Sequence, residues 1–463
     1  MNSANVRAIA LVDEPILSTM DLEIRDFMSG LEFDQLPDEV KEKARLSLVD
    51  LVATAVAGDT TPLAGIVTQY ARDFHGSGLT GTVSRPLLGG PEMSPVGAAL
   101  VGGMIIDAVD SHDGHSLTKG HVGCAVLPGL LAVIEAGGKA LPGPAFMALL
   151  TAGYEIGTRS GIALHATTPD YHSSGAWNAV TCAALTAHLL NLPGEGFRHA
   201  LGIAEYHGPR SQIMRDVDHP TMVKDGSGWG AMAGVSAGYL AAQGFTGAPA
   251  VSIVAPGLDD IWGDLGRRWR ILEQYTKPYP VCRWAHPAID AVLELRRDHG
   301  FVAAEVESMT IHTFHEATRL FQGIPETTDQ AQYATAFPIA MAVLYGDVLP
   351  KHVMGQALDD PAARELTPRI RLIEDPVYTA QFPARRFARA DVRLRDGRVL
   401  ASSACEPRGN PESPLSRKEI VDKFLHYTMP VWGAGKSRLC LDLLIDFGRH
   451  GTDTTDLLAV LRS

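Results

Sequence analysis

The chain is poor in cysteine, and its five thiols, Cys124, Cys182, Cys282, Cys405 and Cys440, lie far apart with no CxxC pair. That pattern excludes a disulfide scaffold and a thiolate zinc site, and leaves reduced packing thiols as the reading. No block of lysine and arginine occurs, and 40 basic against 53 acidic residues give a formal charge of −13. Such a surface repels phosphate backbones, so no nucleic acid is expected as a partner. A few buried cations can still dominate one pocket, so an anionic substrate is not excluded. No run of about 18 uninterrupted apolar residues is present; the nearest, Pro95 to Ile106, is short and punctuated by glycine, so no membrane span is expected. The opening residues, MNSANVRAIALVDEP, lack a basic stretch followed by an apolar core. No secretory signal is therefore expected, and the cytoplasm is the expected compartment. Internal repeats and low-complexity tracts are missing too.

What is present is ordinary globular material, 46% hydrophobic and 20% charged over 463 residues. That length exceeds one ordinary core and points to two domains. The first 270 residues read almost entirely as helices. Leu36-Pro37-Asp38-Glu39 starts one, with Val40, Ala44, Leu48, Leu51 and Ala55 at helical spacing before Gly58. Further helices are expected over Pro95–Val109, Ala125–Ala136, Pro144–Leu164, Ser174–Leu190 and Gly230–Gln243. Their Ala- and Gly-rich cores imply helices that approach closely.

After Arg270 the pattern changes. His286–Asp298 and Ala331–Tyr345 read as helices, Val306–Phe314 and Arg369–Ile373 as strands, and Asp391–Ala401 as a hairpin about an Asp-Gly turn. A Pro/Gly/Asn loop, Pro407–Pro414, leads into helices at Arg417–His426 and Thr452–Leu461. The expected fold is mainly α: a large all-helical domain (1–270, returning at 409–463) with an inserted smaller α+β domain (271–408).

Four segments concentrate chemistry. DAVDSHDGHSLTKGH offers Asp110, His112, Asp113, His115, Lys119 and His121 directly after an apolar helix. It reads as a polar loop, as acid–base machinery, or as a metal site, although Gly114 breaks the regular helix a His112-x-x-His115 pair would need. Tyr171-His172-Ser173-Ser174-Gly175 precedes an apolar helix; Ser173 or Ser174 can cap it, and its free N–H groups suit a carboxylate beside His172. Lys224-Asp225-Gly226-Ser227-Gly228 opens another helix. The lysine stands before the glycines, unlike a phosphate loop, and a lysine at a helix N-terminus calls for an anion beside it. Lastly, Lys277, Arg283 and His286 fall within ten residues of a proline-stiffened stretch, KPYPVCRWAHP, which presents them in a set direction.

In this order the segments resemble the MmgE/PrpD superfamily, which includes 2-methylcitrate dehydratase, cis-aconitate decarboxylase and iminodisuccinate epimerase. The resemblance runs through SLVDLVATAVAG, DAVDSHDGH–HVGCAVLPGLLAVIEAG, YHSSGAWNAVTCAALTAHLLNL, ALGIAEYHG, LAAQGFTG, YTKPYPVCRWAHPAID and GNPESPLSRKEI. It implies an all-helical domain with an inserted α+β lid, a homodimer, and no metal or organic cofactor. It further implies that Asp110, His121, His172, Lys224 and Lys277 match the family's functional positions. Three positions depart from the pattern: a family threonine is Gly114, an aspartate is His112, and a tyrosine of the lid helix is Phe337. The reaction expected from the resemblance is loss of water or CO2 from a small di- or tricarboxylate by α-proton abstraction. Lys224, Lys277 and Arg283 would hold carboxylates, with Ser173 and His286 beside them, and His172, His121, Asp110 or His112 would move protons. Epimerisation, which the extra His112 allows, and a non-catalytic carboxylate binder remain the alternatives.

Overall fold

The computed structural model describes residues 19–77 and 81–463. The opening stretch read for a secretory signal lies outside the described residues. The chain is mainly α-helical. Its first part holds α1 (Met20–Gly30), α2 (Asp38–Gly58), α3 (Pro62–Phe74), α4 (Pro95–Asp107), α5 (Gly123–Ala136), α6 (Gly143–Thr167), α7 (Gly175–Leu189), α8 (Gly194–His207), the short α9 (Met214–Asp218) and α10 (Ser227–Ala242). Each expected helix is found, with ends shifted by a few residues. Ser94 starts α4: its hydroxyl accepts the Gly97 N–H at 3.2 Å, and Pro95 follows at the first helical position.

The small residues do what their pattern implies. Where α10 crosses α4, a methyl group on Gly228 would lie 2.5 Å from Met104 Cγ and 2.6 Å from the Leu100 carbonyl. Where α10 meets α7, one on Gly230 would lie 2.5 Å from the Gly175 carbonyl oxygen. Only bare backbone fits at either crossing. This close stacking brings the C-terminal end of α4 and the N-terminal ends of α5, α7 and α10 together.

The helical reading of the first 270 residues needs one correction. Two residues, β1 (Gly114–His115), pair antiparallel with β2 (Gln274–Tyr275), Gly114 opposite Tyr275. Two-residue strands carry no periodicity, but this ladder ties the histidine-rich loop to the segment that leads to Lys277.

The later segment contains a four-stranded sheet ordered β4-β3-β5-β6, from β3 (Val306–Thr313), β4 (Ile370–Glu374), β5 (Ala388–Leu394) and β6 (Val399–Ala401). β3 is parallel to β4 and antiparallel to β5, with Ile311 opposite Leu372 and Ala390. β5 and β6 form the expected hairpin, with Gly397 at φ 91° in its turn. The helix expected over Ala331–Tyr345 is broken into Thr328–Gln332 and Ala336–Tyr345. The Phe321 N–H takes the Tyr333 carbonyl at 2.8 Å, which ends the first piece. The helix expected over Arg417–His426 instead runs to Asp446, interrupted at Gly433 (φ 76°, ψ 166°).

Buried apolar side chains fall into two large clusters. One is drawn from residues 24–271 and 415–461, the other from Val217 and residues 279–400. Among the described residues all five cysteines are free, and all but Cys405 are buried. No single helix among them is long and apolar enough to cross a membrane.

Candidate active site

A narrow cavity of about 40 Å³ lies where these helix ends face the segment 271–408. Its walls include Asp110, Lys119, His121, Tyr171, Asp225, Tyr275, Lys277, Arg283, Tyr333 and Arg386. Four cations therefore share it with two carboxylates.

Asp110 and Lys277 form a buried pair, in which the ammonium donates to both the carboxylate and, at 2.9 Å, the Asp110 carbonyl. Burial lowers the Lys277 pKa, but Asp110, together with Tyr275 and Cys282, outweighs burial and holds the value above the ordinary lysine range. Lys277 is in turn fixed from behind, because Lys423 donates to its carbonyl at 2.9 Å and to Asp50 at 2.6 Å.

His121 stands between Asp110 and Asp225, its Nε2 3.8 Å from one carboxylate and 3.9 Å from the other. Its Nδ1 donates to the Asp113 carbonyl at 2.5 Å. That bond assigns the proton to Nδ1 and leaves the Nε2 lone pair facing the cavity. Burial, reinforced by the charges of His112 and Lys277, pushes the imidazole well below its ordinary pKa. His121 is thus a neutral base.

Asp225 is the acid counterpart. Burial, with the like charge of Asp107, pushes its pKa up to about 7. Its carboxylate accepts the Ser174 N–H at 3.0 Å and the Ser174 hydroxyl, while Ser174 Oγ accepts the His121 N–H at 2.9 Å. The N-terminus of α7 is held by this carboxylate and not by its own cap. Ser174 has helical dihedrals (φ −60°, ψ −29°), which turn its hydroxyl away from the helix. The expected serine cap is therefore absent, and the expected anion at the helix start belongs to the chain itself.

The same holds at α10. Its Ser227 N–H donates to Asp107 at 3.3 Å. Lys224, just ahead of it, is buried against Asp329 at 2.7 Å and donates to the side-chain amide oxygen of Gln332. A lysine here needs an anion, as the sequence suggests, and Asp329 is that anion. Lys224 does not line the cavity; its Nζ sits 5.5 Å from the ring of Tyr333, which does.

The other expected site residues divide in the same way. Arg283 lines the cavity, with its Nη atoms committed to the Pro407 and Arg408 carbonyls and to Asn410. His286 lies behind it, accepting Arg283 Nη1 at 3.3 Å and donating Nε2–H to the Val281 carbonyl at 3.0 Å. His112 packs edge-on against His121, ring centroids 4.2 Å apart, and bonds Asp107 at 3.1 Å. His172 and Ser173 are buried but not on the cavity wall; His172 Nε2 meets Thr168 at 3.1 Å and Ser173 N–H donates to the Ser211 carbonyl at 2.8 Å. Phe337 is fully buried in the second apolar cluster, while Tyr333 faces the cavity.

Asp110, His112 and His121 present ligand atoms within 4.8 Å of one another, a donor set of the kind that holds a divalent cation. In this arrangement Lys277 supplies the positive charge that Asp110 requires, and Asp107 takes the free nitrogen of His112.

Sequence reading missed Asp225, Tyr171, Tyr275, Tyr333 and Arg386. Asp225 stands next to Lys224 in a segment already singled out, so its proximity was the available signal. Arg386 sits in FPARRFAR, which has no signature.

Three residues of this region, Asp110 (φ 44°), Lys119 (φ 54°) and Lys224 (φ 53°), have left-handed backbones, rare for side chains other than glycine.

The chain matches the MmgE/PrpD N-terminal domain over residues 22–262 and the MmgE/PrpD C-terminal domain over residues 279–443. Among similar curated proteins are a cis-aconitate decarboxylase-like protein of Aspergillus oryzae, 22% identical over 95% of this chain and 96% of that protein, and the cis-aconitate decarboxylase of Aspergillus terreus, 23% identical over 97% of each. The cis-aconitate decarboxylase of Homo sapiens is 23% identical over 85% of each chain.

Proposed function

The chain belongs to the MmgE/PrpD family, and on that premise we propose that it is a cytoplasmic, homodimeric lyase that removes water or CO2 from a small di- or tricarboxylate. In this reading residues 271–408 act as a lid over the helical part, and no cofactor takes part in the reaction. The observation that carries it is the cavity itself: a neutral imidazole lone pair, a protonated carboxyl and a buried ammonium face one small space.

For loss of water, His121 Nε2 takes the α-proton, and the C–H electron pair becomes the new double bond as the hydroxyl departs. Asp225 gives that hydroxyl its proton, so water leaves. Lys277 stabilises the enolate-like charge that grows on the substrate carboxylate. For loss of CO2, the pair released from the breaking C–C bond is stabilised by the same ammonium, and a proton from Asp225 completes the product. After loss of water, His121 hands its proton back to Asp225, 3.9 Å away; after loss of CO2, His121 has gained none and Asp225 takes its proton back from solvent.

Elimination is favoured over epimerisation because His112, the extra histidine, faces Asp107 and not the cavity. Incubating the protein with methylcitrate, citrate, cis-aconitate and iminodisuccinate in D2O, followed by proton NMR, tests this. The expected result is loss of one polycarboxylate's signals to an unsaturated product, with Lys277→Ala slower by about 10²–10³-fold. Deuterium entering an α-position with no loss of water or CO2 would replace this reading with epimerisation. Unchanged turnover in Lys277→Ala would remove Lys277 from the chemistry.

A further inference from the structure

The acid–base roles leave three of the cavity's cations unused, of which Arg283 has its Nη atoms bound within the chain. Arg386, two residues ahead of β5 in the 271–408 segment, is only 4% exposed. Among the described residues no carboxylate lies within ion-pairing distance of it. Its one hydrogen bond is from Nη1 to Ser116 Oγ at 3.1 Å, its Nε is buried without a partner, and it stacks 5.7 Å over the Phe382 ring. A buried guanidinium without an anion is expensive, and its planar fork matches a carboxylate. Lys119, on the helical side, is partly buried with its ammonium 4.5 Å over the Tyr171 ring and likewise has no carboxylate within ion-pairing distance. Burial lowers its pKa, and the neighbouring charge of Arg386 lowers it further.

Each of the other cations near the cavity has a partner within the chain. Lys277 has Asp110, Lys224 has Asp329, and the Nη atoms of Arg283 are bound to backbone and Asn410. Uncompensated charge in the cavity therefore concentrates on Arg386 and Lys119, with the proton-transfer groups and Lys277 also facing the space.

We propose that Arg386 and Lys119 form a second carboxylate subsite, which binds a non-reacting carboxylate of the substrate while Lys277 serves the reacting one. This deepens the lyase reading and rests on it for the reaction, though not for binding. It makes the site selective for polycarboxylates over monocarboxylates, and it makes recognition depend on residues from both sides of the cavity.

Calorimetric titration of the full chain with tricarballylate, glutarate and butyrate tests it, using Arg386→Gln and Lys119→Gln beside the unaltered protein. The unaltered chain is expected to bind tricarballylate and glutarate more tightly than butyrate. Each variant should bind the polycarboxylates about tenfold more weakly and butyrate as before, the size of one lost charge-assisted hydrogen bond. A plain structural tie between Arg386 and Ser116 would instead weaken all three ligands alike, and that overturns the proposal. So does equal affinity of the unaltered chain for tricarballylate and butyrate, or variants that keep the full preference. If Arg386→Gln does not fold, Lys119→Gln decides alone, since Lys119 is partly exposed and pairs with no carboxylate. Loss of the preference with no turnover of any polycarboxylate would uphold the subsite and end the lyase reading. Turnover with unchanged KM in both variants would do the reverse.

Discussion

Asp225 keeps its proton to about pH 7 because burial and the nearby Asp107 both disfavour the carboxylate. The sign of its pH dependence follows. Below about 7 the carboxyl is an acid ready to donate; above it the proton is gone, so kcat should fall as pH rises through that value. Asp225→Asn should lose about 10²-fold in kcat, and its residual rate should no longer fall through pH 7, which a kcat–pH profile measures. Residues such as His121 and Lys277 were legible in sequence because their segments crowd ionisable groups together. Lys224 was legible for a different reason than the one that holds: a lysine ahead of a helix needs an anion, but sequence does not say whether substrate or Asp329 supplies it. Arg386 was silent, since an arginine among arginines looks solvated until the fold buries it.

At the scale of elements, glycine decides how close the helices come. Gly228→Ala would push a methyl into the Leu100 carbonyl and the Met104 backbone of α4, which lack a rotamer to yield. Thermal denaturation should show a loss of about 1–3 kcal/mol. Gly65→Ala is the contrasting case: the site is exposed within α3, nothing lies within 4 Å of the added carbon, and a gain of about 0.5–1 kcal/mol is expected. Long elements were readable because their apolar spacing is dense, as in α4 and α7. The β1–β2 ladder was not, because two residues carry no period and their pairing joins positions about 160 apart. The break at Tyr333 was readable only in part. Pro338 in the expected helix Ala331–Tyr345 lacks the N–H that would bond the Ala334 carbonyl, which marks a break but not its partner: the Phe321 N–H takes the Tyr333 carbonyl, and Tyr333 lines the cavity.

Across the whole molecule, burial raises several carboxyls, among them Asp113 to about 6 and Asp216 to about 7. Asp216 lies off the cavity wall; its Oδ1 accepts Thr221 N–H and hydroxyl, and its Oδ2 is buried without a partner. A folded pKa above the unfolded one binds protons preferentially in the native state. The associated stability is full below about pH 4 and is lost as pH rises through about 7. Asp216→Asn lacks that dependence, so its urea midpoint relative to the parent should climb between pH 5 and pH 8. A constant difference across that range would count against the shift.

The left-handed backbones at Asp110, Lys119 and Lys224 have a historical consequence. Each conformation costs on the order of 1 kcal/mol that glycine would not incur. Glycine at any of the three would toughen the backbone at the expense of a charge, on the cavity wall for Asp110 and Lys119 and in the pair with Asp329 for Lys224, so durability and chemistry pull the same codons in opposite directions.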